Sequence, residues 1–202
     1  MENETQIENG AMDMKTVPQK QSAKQSFWEL IRFAVIAILI VVPIRVFIAQ
    51  PFVVSGSSMF PTLKNSDYLI VDEASYHLGN PERYDVAVFR YPGDPTKFYI
   101  KRIIGLPGET VEVNGSKVLI KNDANKEGFL LDQPFIGSNS DKIARLELKE
   151  GEYFVMGDNR AASSDSRYLG AVPENLIVGK AFLRLLPVKN LDYMPGAYLP
   201  TK

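Results

Sequence analysis

The chain has no cysteine and only one histidine and one tryptophan among 202 residues, and its formal charge is −1 at pH 7. Without cysteine there is no disulfide, no thiolate zinc site and no cysteine nucleophile. The single histidine, His77, lies in Ser75-Tyr76-His77-Leu78-Gly79-Asn80, a stretch that reads as an exposed turn, so a histidine-based triad has no ready base. Near balance of charge and the lack of a sustained basic run argue against a phosphate-holding surface, and no DNA or RNA partner is expected. No internal repeat is visible, and the length suits one ordinary domain with a short appendage.

What is present begins with a polar tail, residues 1–26, rich in Glu, Asn, Gln and Lys and without apolar periodicity; it reads as mobile and cytoplasmic. From Phe33 to Ile44 the chain is unbroken hydrocarbon. Continued past Arg45 to Ala49 the run reaches about 25 Å at ~1.5 Å per residue, slightly short of a ~30 Å bilayer core. Phe27, Trp28, Leu30 and Ile31 extend it, and Arg32 and Arg45 are placed to snorkel to the two interfaces. A cleaved signal peptide wants a short basic start and small residues before the cut, whereas a long mixed-charge tail precedes this run and Phe47 stands where a small residue is needed. A core helix would show a polar face, and none is present. The expectation is therefore a single transmembrane anchor over residues 27–50.

Beyond it, turn signals recur at short intervals and β patterns dominate, so residues 51–186 are expected to form an antiparallel, partly closed β-sheet domain. Tyr68–Val71, Tyr84–Tyr91, Phe98–Ile104, Ala144–Leu148, Tyr153–Met156 and Leu176–Leu186 read as strands, with Val86, Val88 and Arg90 on one face of theirs. Thr110–Val113 and Lys117–Ile120 flank Asn114-Gly115, which suits a type I′ hairpin turn. Residues 121–142 read as a polar surface excursion, and 187–202 as an extension lying along the surface.

Three stretches are candidates for chemistry. Ser55-Gly56-Ser57-Ser58-Met59-Phe60-Pro61-Thr62-Leu63 follows the anchor; Gly56 opens backbone angles closed to other residues and Pro61 fixes its own φ, as a shaped turn displaying a serine would need, though a plain linker reads the same way. With no cysteine and a doubtful histidine, a serine enzyme is left with lysine as base. Lys101, set among Tyr99, Ile100, Ile103 and Ile104, has surroundings that would lower its pKa from ~10.4, although a solvated strand lysine is the commoner case. The third stretch, Gly157 to Gly170, is dense in polar groups just after a strand; Asp165 and Arg167 are placed to pair, and Ser163 to orient a neutral amine.

Together the three stretches resemble the boxes of the type I signal peptidases, membrane-bound proteases with a Ser/Lys dyad: Ser58-Met59-Phe60-Pro61-Thr62-Leu63, Tyr99-Ile100-Lys101-Arg102-Ile103-Ile104-Gly105-Leu106-Pro107-Gly108, and Gly157-Asp158-Asn159-Arg160 with Ser163, Asp165, Ser166 and Arg167. Their order and their setting after an anchor agree with that family over about residues 30–185. The resemblance implies Ser58 as nucleophile, Lys101 as general base and Ser163 as the hydroxyl that positions the lysine, with no metal or cofactor. It implies an oxyanion hole using the Ser58 N–H; some members place a hydroxyl two residues earlier, where this chain has Gly56, so the second donor is open between a backbone N–H and water. Gly56, Ser57, Asp158, Arg160, Asp165 and Arg167 are assigned to the oxyanion site and its scaffold. Ala161-Ala162 replaces the Asp and Asn of many members, so no polar role is expected there. Small apolar pockets for an Ala-x-Ala type sequence are implied, formed by Phe52, Val54, Met59, Leu63, Tyr99 and Ile100, with Pro51–Val54 pairing to an extended substrate. The expected activity is removal of signal peptides from exported preproteins at the outer face of the cell membrane. The alternatives are a self-cleaving repressor-type Ser/Lys protease, which would carry a DNA-binding domain, and an anchored, non-catalytic β-domain.

Lys15, Lys20, Lys24 and Arg32 lie before the apolar run, whereas the next basic residue well beyond it is Lys64, which orients the N-terminus inward. Protease added to spheroplasts is expected to digest the C-terminal domain. Protection of that domain with loss of the tail would refute the orientation.

Overall fold

The structure, a computed structural model, describes residues 23–47 and 49–198. The expected tail lies outside the described residues up to residue 22, as does the end of the C-terminal extension from residue 199. Contacts part the chain into two compact units between Val41 and Val42. Helix α1, Ala23–Phe47, carries Phe27, Trp28, Leu30, Phe33 and Leu39 at 60 % exposure or more. Among the described residues no helix is long and apolar enough to cross a membrane.

The second unit is mainly β, as expected. In chain order it holds β1 Ala49–Val53, β2 Tyr68–Asp72, the short helix α2 Ala74–Leu78, β3 Val86–Tyr91, β4 Asp94–Gly105, β5 Thr110–Asn114, β6 Lys117–Asn122, β7 Asn125–Leu130, β8 Ile143–Glu147, β9 Glu152–Met156, the short helix α3 Ser166–Leu169, β10 Val172–Pro173, β11 Ile177–Leu186 and β12 Asp192–Tyr193. One sheet runs β1-β2-β11-β3-β4-β9-β10 with β12 added to β11, and the other β7-β6-β5-β8. Each ladder is antiparallel.

Period-two patterning explains the edges and the smaller sheet. Leu69 and Val71 of β2, Val111 and Val113 of β5, and Val118 and Ile120 of β6 are buried while their neighbours are not. The central strand departs from the expectation. Val86, Ala87, Val88 and Phe89 are all buried, because β3 lies between β11 and β4 and is covered on both faces. Strand β4 changes character along its 12 residues: it is exposed near Thr96 and Lys97 and buried from Lys101 to Gly105. Its first part pairs with β3, and its end passes to β9. Lys101 thereby lands opposite Ala87 in the middle of the sheet.

Three expectations are corrected. Asn114 pairs with Lys117, so the hairpin loop is Gly115-Ser116 rather than Asn114-Gly115; Gly115 at the first loop position takes φ +62°, as a type II′ turn requires. Residues 121–142 are not simply an excursion, since β7 extends the smaller sheet through β6 and Phe129 and Leu131 reach its core. The extension after 187 lies along the surface at Val188, Leu191 and Tyr193 but is also built into the fold. Strand β12 pairs with β11, Pro195 is buried and Tyr198 packs against the core beside Tyr84 and Phe154. His77, on α2, is exposed as expected.

Gly105 marks where the two sheets meet. A Cβ there would stand 2.8 Å from Leu148 Cδ1 and 2.9 Å from Phe154 Cβ, and would also strike Val111. Gly105→Ala is expected to lower stability by about 1–3 kcal/mol through overpacking, read as a lower denaturant midpoint; an unchanged midpoint would contradict this account of the junction.

Candidate active site

The turn after β1 is closed from both ends. Val54 N–H donates to Asp67 O at 2.9 Å and Ser66 N–H to Val54 O at 2.8 Å. Gly56, at φ +91°, lets the chain reverse, and its N–H donates to Asn65 Oδ1 at 2.9 Å. Phe60 N–H to Ser57 O (3.1 Å) and Leu63 N–H to Met59 O (2.9 Å) complete the coil. Met59 and Leu63 are sunk beneath it with Val54, Leu69, Val86 and Ala181. Both were expected in the substrate pockets; they are instead the apolar footing of the turn, 1 % and 0 % exposed. Ser58 stands half-buried above them.

Strand β4 delivers Lys101 to that serine. Its Nζ lies 2.9 Å from Ser58 Oγ and donates to Ile100 O at 2.9 Å, with the Tyr99 ring 5.3 Å away on the same face of the strand. The lysine is 5 % exposed. Burial pushes its pKa down to about 8, against the opposing pull of Asp165 and Asp158. Near neutrality most of the amine is still protonated but a usable minority is neutral, and with the nitrogen neutral the Ser58 O–H can donate to it.

The loop after β9 is braced by two buried ion pairs. Asp158 takes Arg102 Nε at 2.9 Å and Nη2 at 2.6 Å and accepts from Thr62 Oγ1 at 2.5 Å. Asp165 takes Arg167 Nε and Nη2, each at 2.8 Å, and accepts from Gly157 N–H at 3.0 Å. The Asp165–Arg167 pairing is the one expected; Arg102 and Thr62 were not anticipated. Their signals were a second charge inside the apolar run of β4 and a hydroxyl just after Pro61. Between the pairs, Asn159 grips the Ser58 turn, its N–H donating to Ser58 O at 3.0 Å and its Nδ2 to Ser57 O at 3.1 Å. Arg160, pushed down to about 10 by burial and then by the Arg167 charge, donates to Gly157 O at 3.0 Å and Gln133 Oε1 at 2.5 Å. Gly157 is side-chain-free for a reason: a Cβ would run into Ser163 and Ser58 O.

Ser163 is brought in but not into contact with the lysine. Its hydroxyl is buried without a hydrogen-bond partner among the described residues, lying against Gly157, while the Lys101 amine is held by Ile100 O. Above Ser58 and Lys101 opens a cleft of about 480 Å³ whose lining includes Phe52, Val54, Tyr99 and Ile100, four of the residues named for the substrate pockets, together with Leu69, Val88 and Ser164. Ser58 and Lys101 lie in its wall, and β1, at the edge of its sheet, supplies Phe52. The Ser58 N–H donates to no group among the described residues.

The family model described as "Signal peptidase, peptidase S26" matches residues 27–186. "Probable signal peptidase I-2" of Synechocystis sp. is 37 % identical over 188 residues, 89 % of this chain and 83 % of the relative. "Signal peptidase I" of Bacillus amyloliquefaciens is 34 % identical over 194 residues, covering 89 % of this chain and 96 % of its own. A crystal structure of a signal peptidase I from Enterococcus faecalis is 32 % identical and aligns over 50 % of this chain and 97 % of that one, with a TM-score of 0.42.

Both members of the Arg102–Asp158 pair are fully buried, so removing one strands a charge. Asp158→Ala is expected to cost about 3–5 kcal/mol, seen as a drop in melting temperature well beyond that of a surface Asp94→Ala control. Equal effects of the two would show that the pair does not brace the loop.

Proposed function

Because the chain belongs to the signal peptidase family, peptidase S26, and is thereby a serine endopeptidase that cleaves signal peptides, we propose that it does so by a Ser58–Lys101 dyad from a membrane-anchored position. The observation that carries this reading is the 2.9 Å approach of Lys101 Nζ to Ser58 Oγ with the lysine buried and its proton affinity lowered. As Ser58 Oγ attacks the scissile carbonyl, its proton passes to Lys101 Nζ, and the ammonium then protonates the leaving amine, which leaves an acyl-enzyme on Ser58. The neutral amine next takes a proton from the deacylating water. The unpaired Ser58 N–H is the oxyanion donor this chain supplies. Ser163 serves as a nearby hydroxyl for the lysine, engaging it only once the site is occupied.

The substrate lies extended along the free edge of β1 at Pro51–Val54, with small residues before the cut entering the apolar end of the cleft beside Ile100 and Leu69. A preprotein with Ala-x-Ala type spacing fits those walls. The exposed hydrocarbon of α1 and the basic residues before the apolar run support a bilayer anchor with the N-terminus in the cytoplasm and the catalytic domain on the outer face of the cell membrane.

Turnover of a fluorogenic signal-peptide substrate in detergent tests the dyad. Ser58→Ala should abolish it. Lys101→Met keeps the length and apolar bulk and should fold, with kcat reduced by roughly 10²- to 10⁴-fold, and Lys101→Arg should fail as well because guanidinium stays charged. Lysine must be neutral to act, so kcat/KM is expected to rise with pH through a midpoint near about 8 and to fall away below it. Substantial activity in the Met variant, or an acidic limb that persists there, would remove Lys101 as the base.

A further inference from the structure

The match to the family model ends at residue 186, yet the chain beyond it returns to the underside of the nucleophile turn. We infer that the segment Asn190–Tyr198 is a positioning element of the active site, acting on Thr62 through Gly196 and Arg184; this rests on the Ser58–Lys101 reading above.

Two independent links make the connection. Arg184 on β11 donates from Nε to Asn190 O at 2.7 Å and from Nη2 to Asp192 at 3.1 Å, while its Nη1 donates to Thr62 O at 2.9 Å. One planar fork thus ties the returning chain to the residue four places after Ser58. The second link runs through Arg102, whose Nη1 donates to Gly196 O at 2.5 Å and to Tyr84 O at 2.9 Å, and whose remaining arms hold Asp158. Asp158 in turn receives the Thr62 hydroxyl, and the next residue, Asn159, holds the Ser57 and Ser58 carbonyls. Phe135 lies 3.9 Å under the Arg102 guanidinium, and Tyr198 packs edge-on to both Phe135 and Tyr84. The guanidinium is therefore enclosed by the C-terminal segment on one side and the catalytic loop on the other.

Gly196 is the point of closest approach. It takes φ +80°, and a Cβ there would strike Thr62 Cγ2, stand 2.9 Å from Arg102 Nη2 and 3.2 Å from Val86 Cγ2. A methyl at 196 has nowhere to go except into the residue that anchors the nucleophile turn. None of Thr62, Arg102 and Gly196 lines the cleft, so a disturbance here displaces Ser58 Oγ from Lys101 Nζ and leaves substrate contacts alone.

The test is Gly196→Ala in the full chain, assayed beside wild type and Ser58→Ala. A misplacement on the order of 1 Å costs as much as about 10²-fold, so kcat should fall at least about tenfold with KM within about twofold and the melting transition retained. Thr62→Ser removes the struck methyl and keeps the hydroxyl on Asp158; the Thr62→Ser/Gly196→Ala double variant should recover kcat to within about threefold of Thr62→Ser alone. Wild-type kcat in a folded Gly196→Ala protein, a loss confined to KM, or a double variant no better than Gly196→Ala would each overturn the inference. If Gly196→Ala does not fold, Arg184→Lys takes its place: it keeps the charge and loses the fork, and should lower kcat without raising KM. Wild-type kcat there overturns the inference, and so does failure of both variants to fold, which would make the segment a folding element only. Activity that survives Ser58→Ala would sink the dyad itself, an outcome separate from these.

Discussion

The arrangement depends on keeping one amine dry beside two carboxylates. A lysine withdrawn from water gives up its proton readily, but Asp158 and Asp165 pull the other way, and with both charges unscreened the benefit of burial would be lost. Each carboxylate is accordingly taken by both arms of an arginine, Arg102 and Arg167, so the acids brace the loop while their fields are largely spent on their partners. Arg160, which pairs with no carboxylate among the described residues and donates to Gly157 O and Gln133 Oε1 while its Nη1 stays without a partner among them, adds positive charge nearby. The polar scaffold and the apolar pocket are thus two halves of one electrostatic solution.

The same logic explains why the proposed catalytic pair sits where it does. Lys101 comes from a strand paired on both sides, which fixes its Cα rigidly, whereas Ser58 comes from a turn and needs help to hold still. That help arrives from beneath, by Met59 and Leu63 sunk in the core, and from the side, by Asn159 on the turn's carbonyls. The lysine is held rigidly and the serine is propped, and the propping is where the structure places its buried polar groups.

What could be read without the fold followed from local pattern. Strands β2, β4 and β9 and the β5–β6 hairpin announce themselves by alternation or by apolar runs between turn residues, and the three polar boxes stood out because each broke such a pattern. Strand β7 was missed because Asn125, Lys126, Glu127 and Gly128 show no alternation; its pairing comes from the β6 ladder, a non-local term. Met59 and Leu63 were misassigned since an apolar residue beside a nucleophile fits a pocket or a footing equally well, and only the direction of the turn decides. Ser163 was expected to hold the amine of Lys101, but its hydroxyl is buried without a partner among the described residues, and the amine is held by a carbonyl, Ile100 O, that no side-chain pattern advertises.

Arg102 is a junction of four chain segments, taking acceptors from residue 84, from residue 158 and from residue 196 while rising from β4 itself. Those segments are widely separated in sequence, so the guanidinium is satisfied only when all of them are in place. A molecule in which the 190–198 segment has not docked would possess serine and lysine yet leave that guanidinium one acceptor short in a buried site. The Arg102 site in this way works as a check on folding: the turn that carries Ser58 is fully braced only when parts of the chain far apart in sequence have come together.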